Sequence, residues 1–157
     1  MPVSIRLAKP TAHELAAMAK LRYDAFFKDS DRSLEQDRSE IETFVRNQGY
    51  EVALVAESDG RLAGTCLFVR NEIDAQHDVS PWLAGLVVAP EFRGRGVGSK
   101  LVEAIEAHAR SVECPVIHLY TPNAEGLYAA LGWSVVERFR DCGAPMALMS
   151  KNLPAAG

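Results

Sequence analysis

Three cysteines and four histidines are all that this chain offers to a disulfide or a soft metal ion. Cys66, Cys114 and Cys142 stand far apart and are odd in number, without the close pairs that a zinc site or a redox dithiol requires. His13, His77, His108 and His118 are equally dispersed. No metal is therefore expected, and the cysteines read as reduced thiols. Long apolar runs are missing too: nothing approaches the ~20 residues of a membrane-spanning helix. The opening Met1-Pro2-Val3-Ser4-Ile5-Arg6 lacks the charged-then-apolar layout of a secretory signal, so no membrane partner and a cytoplasmic location are expected. Nor is there a basic excess. The net charge of −4 argues against nucleic acid as the main partner, because phosphate backbones attract a basic face. Repeats, low-complexity tracts and linkers are absent as well.

What is present is an ordinary globular balance. The 157 residues, 48% hydrophobic and 24% charged, suit one packed domain, drawn here at residues 3–153 with 154–157 as a C-terminal tail. Val3–Ala8 alternates as a first strand. Thr11-Ala12-His13-Glu14 has the form of a capping box, and Leu15, Met18, Ala19, Tyr23 and Phe26 follow at helical spacing. Ser33-Leu34-Glu35-Gln36 is a second such box, opening a helix through Ile41, Phe44 and Val45 towards Gly49. Glu51–Ser58 and Arg61–Arg70 read as strands joined at the hairpin signal Asp59-Gly60. After a polar loop, Asn71–Pro81, the nearly continuous apolar run Trp82–Val88 predicts a strand covered on both faces. Val97, Leu101, Val102, Ile105 and Ala109 share one helical face. Val116–Tyr120 is a short strand, Thr121-Pro122 predicts the start of a helix closed by Gly132, and Trp133–Phe139 and Met146–Ser150 are final strands, with fraying beyond. The order β, α, α, β, β, β, α, β, α, β, β describes a mixed α/β (α+β) unit. Trp82, Trp133, Phe26, Phe27 and Phe44 are read as core.

The segment that carries chemistry is Leu86-Val87-Val88-Ala89-Pro90-Glu91-Phe92-Arg93-Gly94-Arg95-Gly96-Val97-Gly98-Ser99-Lys100. A buried strand enters a turn with three glycines at alternate positions, then an amphipathic helix. First-turn amides of a helix lack intrahelical acceptors and carry the positive end of the dipole, and glycine lets an anion approach the backbone closely. This is a phosphate cradle. Two familiar cradles do not fit. The dinucleotide fingerprint wants G-x-G-x-x-G where this chain has G-x-G-x-G, and the P-loop wants Gly-Lys-Ser where this chain has Gly98-Ser99-Lys100.

The pattern Arg93-Gly94-Arg95-Gly96-Val97-Gly98, after an apolar strand and a Val88-x-Pro90 step, resembles the [QR]-x-x-G-x-[GA] signature of the GNAT superfamily of acyl-CoA-dependent N-acetyltransferases. Downstream, Leu127-Tyr128-Ala129-Ala130-Leu131-Gly132-Trp133 is similar to that family's L-Y-x-x-x-G-F segment, with Trp for Phe. The element order agrees from Val3 to Leu153. The resemblance implies a mainly antiparallel sheet splayed between its fourth and fifth strands, flanked by about four helices, with acetyl-CoA wedged in the opening. It implies that Leu86, Val87 and Val88 pair with the pantetheine arm, and that the amides from Arg93 through Gly94, Arg95, Gly96, Val97 and Gly98 to Ser99 take the pyrophosphate. The implied partner is a small-molecule or peptide amine, with a homodimer left open.

Acetyl transfer needs a neutral amine, donors for a developing oxyanion and a proton for the leaving thiolate. Tyr128 matches the family's customary acid. The resemblance breaks in two places. The strand-four Glu that serves many members as base is matched only by Ala84 and Gly85, and the Asn that precedes the Tyr by seven residues is here Thr121, with Asn123 nearby. Glu72, Asp74, His77 and His118 are the alternatives for the base. The acidic stretch Glu72, Asp74, Asp78 suggests a cationic acceptor. A CoA-binding sensor without turnover is the competing reading, and a nucleotide-phosphate binder a more distant one.

Overall fold

The computed structural model describes residues 2–154. Seven strands form one sheet: β1 (Ser4–Leu7), β2 (Val52–Ser58), β3 (Arg61–Val69), β4 (Trp82–Val88), β5 (Val116–Thr121), β6 (Ser134–Asp141) and β7 (Ala144–Asn152), in the order β1-β2-β3-β4-β5-β7-β6. Every neighbouring pair is antiparallel except β4 with β5. The helices are α1 (Ala12–Arg22), α2 (Leu34–Arg46), α3 (Val97–Ser111) and α4 (Glu125–Ala130). The mixed, mainly antiparallel architecture with four helices is the one expected.

Local chemistry accounts for most boundaries. Thr11 accepts the Glu14 amide at the head of α1, and Ser33 and Gln36 close a complete capping box on α2. Asp59 and Gly60 both take positive φ, +52° and +75°, the twist that suits a two-residue hairpin. Cys142 and Gly143 (+50° and +83°) make a second turn of this kind. Cysteine gives no hint of it, so β6 and β7 run longer than foreseen. Lys151 and Asn152 belong to β7 and do not fray; Ala155–Gly157, the end of the expected tail, lie outside the described residues.

Two departures matter later. The α1 helix continues into a π-helical turn, Tyr23–Phe27, which rolls Phe26 out to 46% exposure, so that it lines a cleft and not the core. Thr121 does not cap α4. Its hydroxyl accepts the amides of Ala124 (2.9 Å) and Asn123 (3.4 Å) in a turn, and the helix begins four residues later.

Two apolar layers sandwich the sheet. One gathers Phe68, Leu101, Ile105, Ile117 and Trp133 beneath α3, the other Leu15, Met18, Ile41, Val55 and Trp82 beneath α1 and α2. Trp82 and Trp133 are core, as expected. The indole of Trp133 needs an acceptor, and buried Glu106 of α3 supplies it (3.2 Å). Lys151 completes the clamp, donating to Glu106 and to the Leu131 carbonyl, both at 2.7 Å.

Beneath the second layer lies an ionic cluster. Asp37 of α2, fully buried, accepts from Nε and Nη2 of Arg22 (3.0 and 3.1 Å) and from Nε and Nη2 of Arg32 (3.0 and 2.8 Å). Arg32 also pairs with Glu40. Removing one member of a buried charge cluster strands the others away from water. Asp37→Ala should therefore lower unfolding free energy by about 3 kcal/mol, read from the midpoint of urea denaturation at unchanged slope.

Candidate active site

The cleft follows from how β4 meets its two neighbours. On one side it pairs with β3, but four residues of β4 (Ala84 to Val87) lie opposite three on β3 (Leu67 to Thr65). The surplus residue is a bulge, and Gly85 provides its left-handed conformation (φ +62°). On the other side β4 touches β5 through a single register pair, Trp82 with His118. Beyond it the strands diverge and leave the β5-facing edge of β4 unpaired. A cleft of about 910 Å³ opens there, with Leu86, Val88 and Gly98 on one wall and Leu119, Thr121, Asn123 and Tyr128 on the other.

Strand alternation decides which main-chain groups face it. Ala89 donates its amide to Ala63 at 2.8 Å, so Val87, two residues before, also directs its backbone at β3. Leu86 and Val88 present theirs to the cleft. Of the three residues expected to meet a pantetheine arm, Val87 is thus turned away, whereas Leu86 and Val88 are placed for it.

At the inner end of this edge a 3-10 turn, Pro90–Phe92, leads to the start of α3. Arg93 spends its amide on that turn, on Pro90 O at 3.3 Å, and so falls out of the expected donor set. From Gly94 to Ser99, six consecutive amides find no acceptor among the described residues. Gly94 and Gly96 both hold φ +77°, and a Cβ on either would meet nothing within 4 Å. Such a concave array of free donors in open space at a helix N-terminus fits a diphosphate. The side chains of Arg93 and Arg95 lie back on the protein. Nε of Arg93 approaches Val88 O at 3.4 Å, and the Arg95 guanidinium stands 5.7 Å from the Phe92 ring centre.

Tyr128 projects from α4 into the cleft, and its hydroxyl makes no hydrogen bond among the described residues. Burial, with a smaller contribution from Cys66 beneath it, pushes the phenol up to about 12, so it stays protonated throughout the neutral range.

Of the four candidates for the base, the structure brings only Glu72 to the cleft. Burial raises its carboxyl above the ordinary range, against the opposing influence of the Ile73 amide and the Arg22 charge. Asp74 lies on the exposed loop. His118 is buried with Nδ1 on Pro81 O at 3.1 Å. His77 sits behind Tyr120, bonded to its hydroxyl (2.7 Å) and to Glu137 (2.6 Å). Sequence reasoning missed Arg22, which reaches the cleft from the end of α1. One signal was available: it continues the apolar register Leu15, Met18, Ala19, where a charge is out of place.

Residues 15–133 match the family described as Acetyltransferase (GNAT). The chain belongs to that family. A curated relative, the mycothiol acetyltransferase of Acidothermus cellulolyticus, is 35% identical over 96 residues, which is 59% of this chain. The match spans 28% of that protein's own length. Among solved structures, an aminoglycoside 6'-N-acetyltransferase complexed with coenzyme A superposes with a TM-score of 0.79 at 15% identity, covering 100% of this chain and 99% of that one. An N-acetyltransferase from Staphylococcus aureus Mu50 also gives 0.79, at 18% identity, covering 98% of this chain and 100% of that one. These likenesses share the GNAT fold. Among the described residues no helix is long and apolar enough to cross a membrane, and no group of three His, Cys, Asp or Glu could hold a metal ion.

In this GNAT chain the cradle is main-chain in character. Gly96→Asp puts a carboxylate into the open space beside the six amides; no atom lies within 4 Å of its Cβ, and Asp tolerates the left-handed backbone (φ +77°) better than most residues, at a small cost in stability. Calorimetric titration with acetyl-CoA should lose detectable binding, while the far-UV spectrum and the cooperativity of unfolding persist.

Proposed function

We propose that this protein transfers the acetyl group of acetyl-CoA to a primary amine of a small molecule or peptide. The observation that carries the reading is the unpaired edge of β4 running directly into six unengaged amides at the head of α3. One surface offers an extended main-chain partner for an amide-bearing arm and a donor array for the diphosphate attached to it. Leu86 and Val88 would hold the arm, Thr121 and Asn123 would flank it from the opposite wall, and Gly94–Ser99 would take the phosphates.

Bound there, the thioester supplies an activated acetyl carbon: the amine nitrogen bonds to it, the carbon–sulfur bond breaks, nitrogen gives up a proton and sulfur gains one. The chain's residues arrange the rest. The bulge at Gly85 turns the Leu86 amide towards the cleft as a fixed donor for charge growing on the carbonyl oxygen. Tyr128, neutral and with a hydroxyl unengaged among the described residues, hydrogen-bonds the leaving sulfur and delivers its proton. Glu72 accepts the amine proton. Its raised pKa brings it nearer the amine than an ordinary carboxylate, and its position at the acceptor end puts it opposite Tyr128's function.

Two variants test these assignments. Tyr128→Phe should lower kcat roughly 100-fold with acetyl-CoA affinity unchanged, measured by thiol release and calorimetry; an unaltered kcat removes Tyr128 as the acid. Glu72 acts only when ionised, so activity should fall as pH drops through its folded pKa, on a limb above the usual carboxylate range. In Glu72→Gln that limb should vanish and the plateau drop. A limb that survives the substitution assigns the base elsewhere. Binding of acetyl-CoA without thiol release to any amine would favour the sensor reading.

A further inference from the structure

The position where many GNAT members carry a basic carboxylate holds a cation in this chain. Arg22 is 4% exposed, and Asp37 takes its Nε and Nη2. The remaining nitrogen, Nη1, has no hydrogen-bond partner among the described residues, though the residue lines the cleft. It lies 2.7 Å from where a Cβ of Gly85 would stand, so any side chain at 85 would displace it. The largely buried Arg22 side chain therefore rests on the β4 bulge, one residue from Leu86, with the two N–H donors of Nη1 open to the cleft and not taken by any described residue.

We infer that Arg22 Nη1 receives a carboxylate of the acceptor, which makes the substrate an amino acid or a closely similar amine with its carboxylate a few bonds from the nitrogen. The inference rests on the acetyltransferase reading above. Its spacing follows from the backbone: Gly85 and Leu86 have Cα atoms about 3.8 Å apart, so a group on Arg22 and an amine reaching the carbonyl held at Leu86 are separated by only a few ångströms. The charge around the site selects the ligand class. Arg22 and Arg32 are matched by Asp37 and Glu40, and Glu51 and Glu72 also line the cleft. A dianionic phosphate would find no surplus cation and several carboxylates. A zwitterion meets donors at the bulge and a carboxylate at Glu72. Phe26, Phe27 and Phe44 beyond leave an apolar wall for the remainder of the acceptor.

The experiment compares free α-amino acids with their carboxamides as acceptors, by thiol release from acetyl-CoA, with kcat/KM corrected for the fraction of free amine. In the native protein the free acids should exceed the matching amides by about 10- to 100-fold, the range for a hydrogen bond to a charged group. Arg22→Met should bring the two to within about threefold of each other, mainly through KM for the acids, and Arg22→Lys should restore part of the preference. Equal or better use of amides by the native protein overturns the inference, and needs no variant to fold. So does a preference that survives Arg22→Met. Thiol release with neither set, while calorimetry shows acetyl-CoA bound, overturns the carboxylate assignment and leaves the coenzyme reading standing. No acetyl-CoA binding overturns both.

Discussion

The structure turns on the failure of two parallel strands to stay together. A parallel pair with a continuous ladder would bury the β4 edge and abolish the cleft. Here β4 and β5 are held by Trp82 against His118 and then part. The bulge at Gly85 adds a residue on one side only, bending β4 and re-aiming the main chain at Leu86. From this one geometric constraint come the open strand edge, the room between α3 and α4, and the alignment of that edge with the helix start beyond it.

Both walls of the opening need support, because an unpaired strand edge inside a protein is otherwise a weakness. On the α4 side, a helix of six residues cannot hold its own position. Trp133, Glu106 and Lys151 tie its end to α3 and β7, and Tyr128 inherits that placement. The Trp that stands in the family's Phe position thus has a reason in this chain: a buried carboxylate waits for its N–H. On the other side, Asp37 locks Arg22 and Arg32 under the π-helical turn. Hydrogen-bond donors of a charge-matched guanidinium, Arg22, reach the cleft from a helix that the β4 motif does not reveal.

The coenzyme half was largely legible in the chain. The proposed recognition uses backbone amides, and glycine spacing with a helix start writes backbone exposure directly into the letters: Gly94, Gly96 and the apolar face of α3 suffice. The errors there were local. Arg93 and Val87 dropped out because a 3-10 turn and strand alternation claimed their main-chain groups. Thr121 capped a turn in place of a helix, since Thr-Pro allows both. The proposed acceptor half was legible only in part, with Glu72 standing among four candidate bases and Arg22 not seen at all. Glu72, Arg22 and Phe26 lie far apart in sequence, and none stands in a motif.

Order of elements, the caps of α1 and α2, the Asp59-Gly60 turn, the buried strands and the glycine turn that opens α3 were determined by the sequence alone, because each rests on contacts among near neighbours or on a repeating pattern. Tertiary structure alone decided which of four candidate bases faces the cleft, which nitrogen of Arg22 is left free, and that Gly85 is small so that a distant guanidinium can occupy its place. Those are contacts across long loops. They depend on how α1, its π-helical turn and β4 pack against one another, and no local spacing encodes that.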